Sequence, residues 1–301
     1  MPAQATGFSP ARHILRRPCL FIDVQHGLCN RLRAMASASA FAAATGRELV
    51  VIWRADHHCE ARLGDLLRYS GAVIETDVAN DLRAIAGLSY NYMEVEPDSC
   101  FETPILAGKD ADWQGDVYVR SAYPLQGPHA DFGTEQAFLH RLLPSQAVLD
   151  MLAGLRRPFD VCAHVRMAGG ADFEHLSYES LENWPEHRHR ELAEHRGKSH
   201  RDRFVKRLDA LVSQGQADRI FLAADLPETY AALADRYGTR LNWLQRDLYD
   251  RSPRQLQYAM ADLLLLSAGA RFLGSPWSSF TDVAQRLARP TRPFEISGRD
   301  F

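Results

Sequence analysis

The sequence predicts an α/β fold built from two parallel-sheet halves, on three observations. An apolar run, a glycine turn, a long alanine-rich segment and a second apolar run follow one another almost without spacer between residues 21 and 53. After Pro158 the chain restarts a clean alternation of strand and helix patterns. Four of the predicted strands end in clusters of Gly, Ser, His, Arg and Asp, where open α/β sheets bind their ligands.

Residues 20–24 are apolar but for Asp23 and do not alternate, as in a strand buried on both faces. Residues 25–30 make a turn in which Gly27 permits close backbone approach and Asn30 is a plausible N-cap. From Arg31 the segment RLRAMASASAFAAAT is rich in helix formers, Gly46 closes it, and residues 48–53 form a second buried strand. This is a βαβ unit with parallel strands. Strands follow at 72–75 and 116–121, then helices at 136–142 and 145–155, and a domain boundary falls at Pro158. Beyond it lie strands at 160–166, 219–224, 240–244 and 270–273, and helices at 199–213, 227–237, 253–267 and 279–287. The expected domains are therefore 1–157 and 158–301. Residues 167–198 show weak periodicity and read as a long basic, histidine-rich flap or a solvated face.

Composition narrows the class. The 301 residues are 46% hydrophobic and 24% charged with a formal net charge of −3, the profile of a soluble globular protein with no global signal for nucleic acid. Five cysteines, with no CxxC pair, argue against a disulfide framework and for a reducing compartment. No apolar run reaches the roughly 20 residues needed to span a bilayer, and the first twenty residues lack a signal-peptide core. A cytoplasmic protein without a transmembrane segment is expected.

The strand ends carry the candidate chemistry. In HGLCNR, Gly27 precedes a helix whose first amides suit a phosphate or sugar oxygen, although strand–helix packing alone also explains a glycine there. In HVR, strand alternation brings out His164 and Arg166 together, and the guanidinium can fork two diphosphate oxygens or pair with a carboxylate. GSPWSSF places Ser278 and Ser279 at a helix start, where they can cap the helix or bind an anion. Asp225, in AADLPE, can accept from a ribose or cap the next helix. Histidines 187, 189, 195 and 200 are interleaved with Arg188, Arg190 and Arg196, which repel a cation, so no metal site is expected. His57, His58, Cys59 and Glu60 form a similarly weak cluster. GxSxG and Walker patterns are absent.

Taken in order, these blocks resemble the fucosyltransferase superfamily of nodulation α-1,6-fucosyltransferases and protein O-fucosyltransferases. GLCNRLRAMASASAFAAATGRELVVIW looks like its amino-terminal turn and helix, HVR like its first motif, IFLAADLPE like its Asp-Asp-Pro segment, and FLGSPWSSFTDVAQRL like its last. The resemblance implies a GT-B fold, two Rossmann-like domains facing across a cleft, the first on the acceptor side and the second holding the nucleotide sugar. It implies a metal-independent inverting glycosyltransferase without a cofactor, taking GDP-fucose as donor and a glycan or oligosaccharide as acceptor, in glycan or polysaccharide biosynthesis. Arg166 would bind the β-phosphate, and His164 and Asp225 the nucleoside. Ser278, Ser279 and Phe280 would cradle diphosphate and base, with Gly27, Asn30 and Arg31 meeting the donor from across the cleft. The family aspartate three residues after the HxR arginine is Gly169 here, which leaves Asp172 and Glu174 as candidate bases; the second aspartate of Asp-Asp-Pro is Leu226. The rivals are the same fold with another nucleotide-sugar donor, and a nucleotide- or glycan-binding protein without catalysis.

Overall fold

The computed structural model describes residues 17–94, 96–155, 158–167, 186–247 and 249–301. The first half runs β1 (Cys19–Val24), α1 (Leu28–Ala44), β2 (Glu48–Ile52), α2 (Leu63–Leu66), β3 (Leu67–Arg68), β4 (Ala72–Ile74), α3 (Val78–Ile85), β5 (Leu88–Tyr92), β6 (Val117–Ser121), α4 (Phe132–Arg141), β7 (Leu143–Pro144) and α5 (Gln146–Leu152). The second runs β8 (Val161–Val165), α6 (Glu186–Lys198), α7 (Arg201–Ser213), β9 (Ile220–Ala224), α8 (Pro227–Tyr237), β10 (Leu241–Asn242), α9 (Pro253–Ser267), β11 (Arg271–Gly274), α10 (Ser279–Arg286) and β12 (Phe294–Ile296).

Two five-stranded sheets result, ordered β4-β2-β1-β6-β5 and β10-β9-β8-β11-β12, and every pair within them is parallel. A short antiparallel pair, β3 with β7, stands apart. The central strands β1 and β8 are buried along their whole length, including Asp23 and His164, the single polar residue of each otherwise apolar run. In α1 every residue from Leu28 to Ala42 except Asn30 and Arg33 is buried. Its alanines and serines let it sit between β1, β2, α4 and α10 with little side-chain bulk. Gly46, at φ 64°, ends it in the left-handed conformation that glycine adopts freely.

Several elements differ from expectation. The cap of α1 is Gly27, three residues before Asn30. The stretch 240–244 keeps only the two strand residues of β10, while β5 and β12 extend the sheets at edges where the sequence shows no clean alternation. Within 167–198, residues 186–198 are helix α6, not loop, with Leu192 its one buried residue.

A continuous buried core joins the halves, from Leu20, Met35 and Phe41 on one side to Phe221, Leu263 and Phe272 on the other. Helix α5 packs on α9, and α1 on α10. Across the same junction the Arg286 guanidinium meets Glu135 at 2.9 Å, both nine-tenths buried.

Candidate active site

A cleft of about 1620 Å³ opens at the carboxyl ends of both sheets. It is lined by His26 to Asn30 after β1, Tyr123 after β6, Arg166 after β8, Asp225 after β9 and Ser275 to Asp282 after β11. The topology thus delivers the four predicted strand ends to one place.

The turn after β1 is not made by its glycine. His26 takes the positive φ, 62°, whereas Gly27 sits at φ −70° in extended backbone. No protein atom lies within 4 Å of where a Gly27 Cβ would stand, so its missing side chain leaves room in the cleft. The first turn of α1 has neither a side-chain cap nor an acidic residue, which leaves its amides open to an anion.

Arg31 is fully buried and does not line the cleft, contrary to the role expected of it. Its Nε donates to the His26 carbonyl at 2.7 Å, Nη1 to the Arg54 carbonyl at 2.6 Å, and Nη2 pairs with Asp56 at 2.8 Å. It fixes the strained turn instead. The arginine of this helix that does face the cleft is Arg33, one turn beyond Asn30, whose Oδ1 accepts from it at 2.9 Å. Its Nη1 lies 3.9 Å from Asp282 of α10, its Nε has no hydrogen-bond partner, and burial pulls its pKa down. The i, i+3 spacing of Asn30 and Arg33 was readable in the sequence.

On the opposite side, His164 is buried, shares a 2.8 Å hydrogen bond between Nδ1 and Thr281 Oγ1, and stacks on Phe280 at 4.8 Å. Burial pushes its pKa down to about 3, so the ring is neutral at physiological pH. Arg166 Nη1 donates to Asp225 Oδ2 at 2.5 Å, and Asp225 Oδ1 accepts from the Met167 amide at 3.1 Å. Asp225 therefore orients Arg166. Ser275 Oγ accepts from the Arg166 amide and donates to the His164 carbonyl, both at 2.9 Å, tying the HVR strand end to the β11 turn. Ser278 caps α10, accepting from the Thr281 amide at 3.4 Å. Gly274 has a packing reason, because a Cβ there would lie 2.4 Å from Thr281 Cγ2. Ser279 and Phe280 line the cleft at the helix start. Asp172 and Glu174 lie outside the described residues.

Two further cleft residues had not been singled out. Arg246 and Asp262 pair at 2.6 Å with 2% and 5% of their side chains exposed, and Arg246 also lies 4.9 Å over the Tyr258 ring. Asp262 Oδ1 is buried without a partner, and burial pushes the carboxyl up to about 6. A single acid in the apolar helix AMADLLLL was the available signal. Helix α6 contributes Arg188, which ion-pairs with Glu94 across the cleft and with Glu191 at 2.6 Å, and His195, stacked on Trp277 at 5.2 Å. Among the described residues no three His, Cys, Asp or Glu side chains group as a metal-ligand set.

No protein-family profile matches the chain, and no curated protein matches it in sequence. Solved structures match it in fold. The chain is similar to the NodZ α-1,6-fucosyltransferase soaked with GDP-fucose, at 16% identity and TM-score 0.57, over 90% of this chain and 93% of that one. Fucosyltransferase NodZ from Bradyrhizobium matches at 15% identity and TM-score 0.57, over 90% and 94%. POFUT1 in complex with GDP-fucose matches at 14% identity and TM-score 0.53, over 94% and 98%. The chain has the α/β fold of these fucosyltransferases, the fold class its sequence motifs imply.

Proposed function

We propose that the chain is an inverting glycosyltransferase that moves fucose from GDP-fucose to a saccharide acceptor in glycan or polysaccharide assembly, with no resident metal. One observation carries the reading. In a fold shared over 90% of the chain with NodZ soaked with GDP-fucose, the open space at Gly27, the Arg166 guanidinium and the amino end of α10 converge on one cleft.

The chemistry follows from those parts. Transfer breaks the bond between the anomeric carbon and the β-phosphate oxygen, so negative charge grows on the departing diphosphate. Arg166, held by Asp225, is a fixed donor aimed at such charge. The amino end of α10 adds about 0.3–1 kcal/mol through its dipole, so the arginine is the larger contributor. The open oxygen of Asp262 suits a base with adjacent N–H donors, which guanine presents at N1 and its exocyclic amine. On this reading residues 158–301 hold the donor, residues 1–157 face the acceptor, and Asp172 or Glu174 takes the acceptor proton. All five cysteines are free thiols, which favours a reducing, cytoplasmic setting, and none of the described helices is long and apolar enough to cross a membrane.

The test is a thermal-shift panel with GDP, UDP, ADP and CMP, each with EDTA and with magnesium, followed by GDP release from GDP-fucose. A ligand at a hundred times its Kd adds about 2.7 kcal/mol to native stability. A GDP response that survives EDTA, followed by turnover, supports the proposal. Response to another nucleotide alone discards fucose, and GDP binding without turnover identifies a binding protein.

A further inference from the structure

Five rings run along the first-half wall of the cleft. Phe101 lies 4.6 Å from Tyr123, Tyr123 6.2 Å from His26, His26 5.0 Å from His58, and His58 3.9 Å from His57, centroid to centroid. All five line the cleft, and they come from the loops after β1, β2, β5 and β6. The run therefore passes the carboxyl edge of the first sheet and reaches the donor residues beside Gly27. His26 joins it in the left-handed backbone region, a conformation that a side chain other than glycine's seldom adopts and that surrounding structure must hold. Arg31 holds it through the His26 carbonyl. The carboxylates Glu60 and Glu102 border the same wall, whereas Glu94 there is already ion-paired with Arg188 and accepts from Tyr123 at 3.2 Å.

We propose that this ring wall is a subsite for an uncharged oligosaccharide, whose pyranose C–H faces lie on the rings and whose hydroxyls donate to the bordering carboxylates. Ring faces attract the polarised C–H groups of a sugar as they attract other positive edges. Carboxylates accept from hydroxyls and repel an acidic chain. Burial holds His26 near pKa 4 and His58 near 3, so these two rings stay neutral across the physiological range. The inference supplies the acceptor class of the transferase reading and rests on it for the word acceptor; the binding claim is tested separately.

The experiment is saturation-transfer NMR with calorimetry, using cellohexaose, maltohexaose and a galacturonic acid hexamer, on the wild type, His57→Ala and Phe101→Ala, each also melted with GDP. His57 is exposed, so its replacement leaves the fold undisturbed. Binding of a neutral hexaose through its C–H protons, weakened about ten-fold in each variant, is expected, with the GDP shift retained. No neutral hexaose bound, preference for the acidic hexamer, or variants that bind the neutral hexaose as tightly as the wild type overturns the inference. Loss of the GDP shift in the wild type strikes the donor reading alone.

Discussion

Asp262 gives one carboxylate oxygen to Arg246 at 2.6 Å and keeps the other buried with no hydrogen bond. A buried acceptor left open is costly unless something fills it, and this one borders the cleft. Asp262→Asn removes the charge that Arg246 was folded against, so stability should fall by up to about 3–5 kcal/mol. The larger thermal shift with GDP than with ADP should vanish with it. An unchanged preference would remove Asp262 from base recognition.

The same carboxyl predicts how nucleotide binding responds to acid. With its pKa raised to about 6, Asp262 is protonated below that value and can no longer accept two donors. GDP affinity should therefore be flat above pH 6.5 and decline as pH falls through 6. Calorimetric titrations at pH 7.5, 6.5 and 5.5 check it.

Stability should also drop in acid, through the histidines. His26, His58 and His164 are pushed by burial to about 4, 3 and 3. Between about 6.5 and those values the unfolded chain binds protons that the folded chain refuses. Their contribution is full above pH 6.5 and is lost below it. Asp262 acts with the opposite sign below pH 6, one group against three. The melting midpoint should fall from pH 6.5 to 5, and less steeply in His164→Gln.

Arg166→Ala should abolish transfer and also cost some stability. Its pair with Asp225 is short, at 2.5 Å, and less than a fifth of either side chain is exposed, so the loss should exceed the about 1 kcal/mol of a solvent-exposed pair and stay below the about 3–5 kcal/mol of a fully buried one. Arg166→Lys should recover little activity, since an ammonium cannot fork two phosphate oxygens. Substantial GDP-fucose turnover by the alanine variant would refute the role.

Two glycines should separate packing from binding. Gly274→Ala drives a methyl into Thr281 and should destabilise by about 1–3 kcal/mol. Gly27→Ala meets no protein atom at an ordinary φ, so its midpoint should hold within about 1 kcal/mol. Its GDP-fucose affinity should nonetheless fall. Melting curves with and without ligand read both effects.

How much of this was legible varied with the physics of each segment. The β1-α1-β2 unit declared itself because both strands are apolar apart from Asp23 and Glu48 and the helix is rich in small residues that pack on every side. The HVR and GSPWSSF blocks could be placed because each stands at the carboxyl end of a largely apolar strand, β8 and β11. Helix α6 was unreadable by periodicity: its face toward the cleft is charged, and Leu192 alone is buried. The turn at His26 was misassigned to Gly27 because steric preference alone favours glycine, and the distant groups that hold the histidine, through Arg31, come from Arg54 and Asp56. Asp262 escaped notice for a related reason. Its importance lies in a partner sixteen residues away and an oxygen left over, neither of which a local pattern expresses.

The unbroken core from Leu20 to Phe272 has a consequence for how the molecule comes apart. A chain of two independently folded lobes would melt in two steps and survive cutting between them. Here α5 rests on α9, and Glu135 is neutralised by Arg286, so each half supplies the interior of the other. Heat or urea should unfold the chain in one cooperative transition, and amides of β1 and β8 should exchange with solvent at the same global rate. Neither half expressed alone should show a native melt.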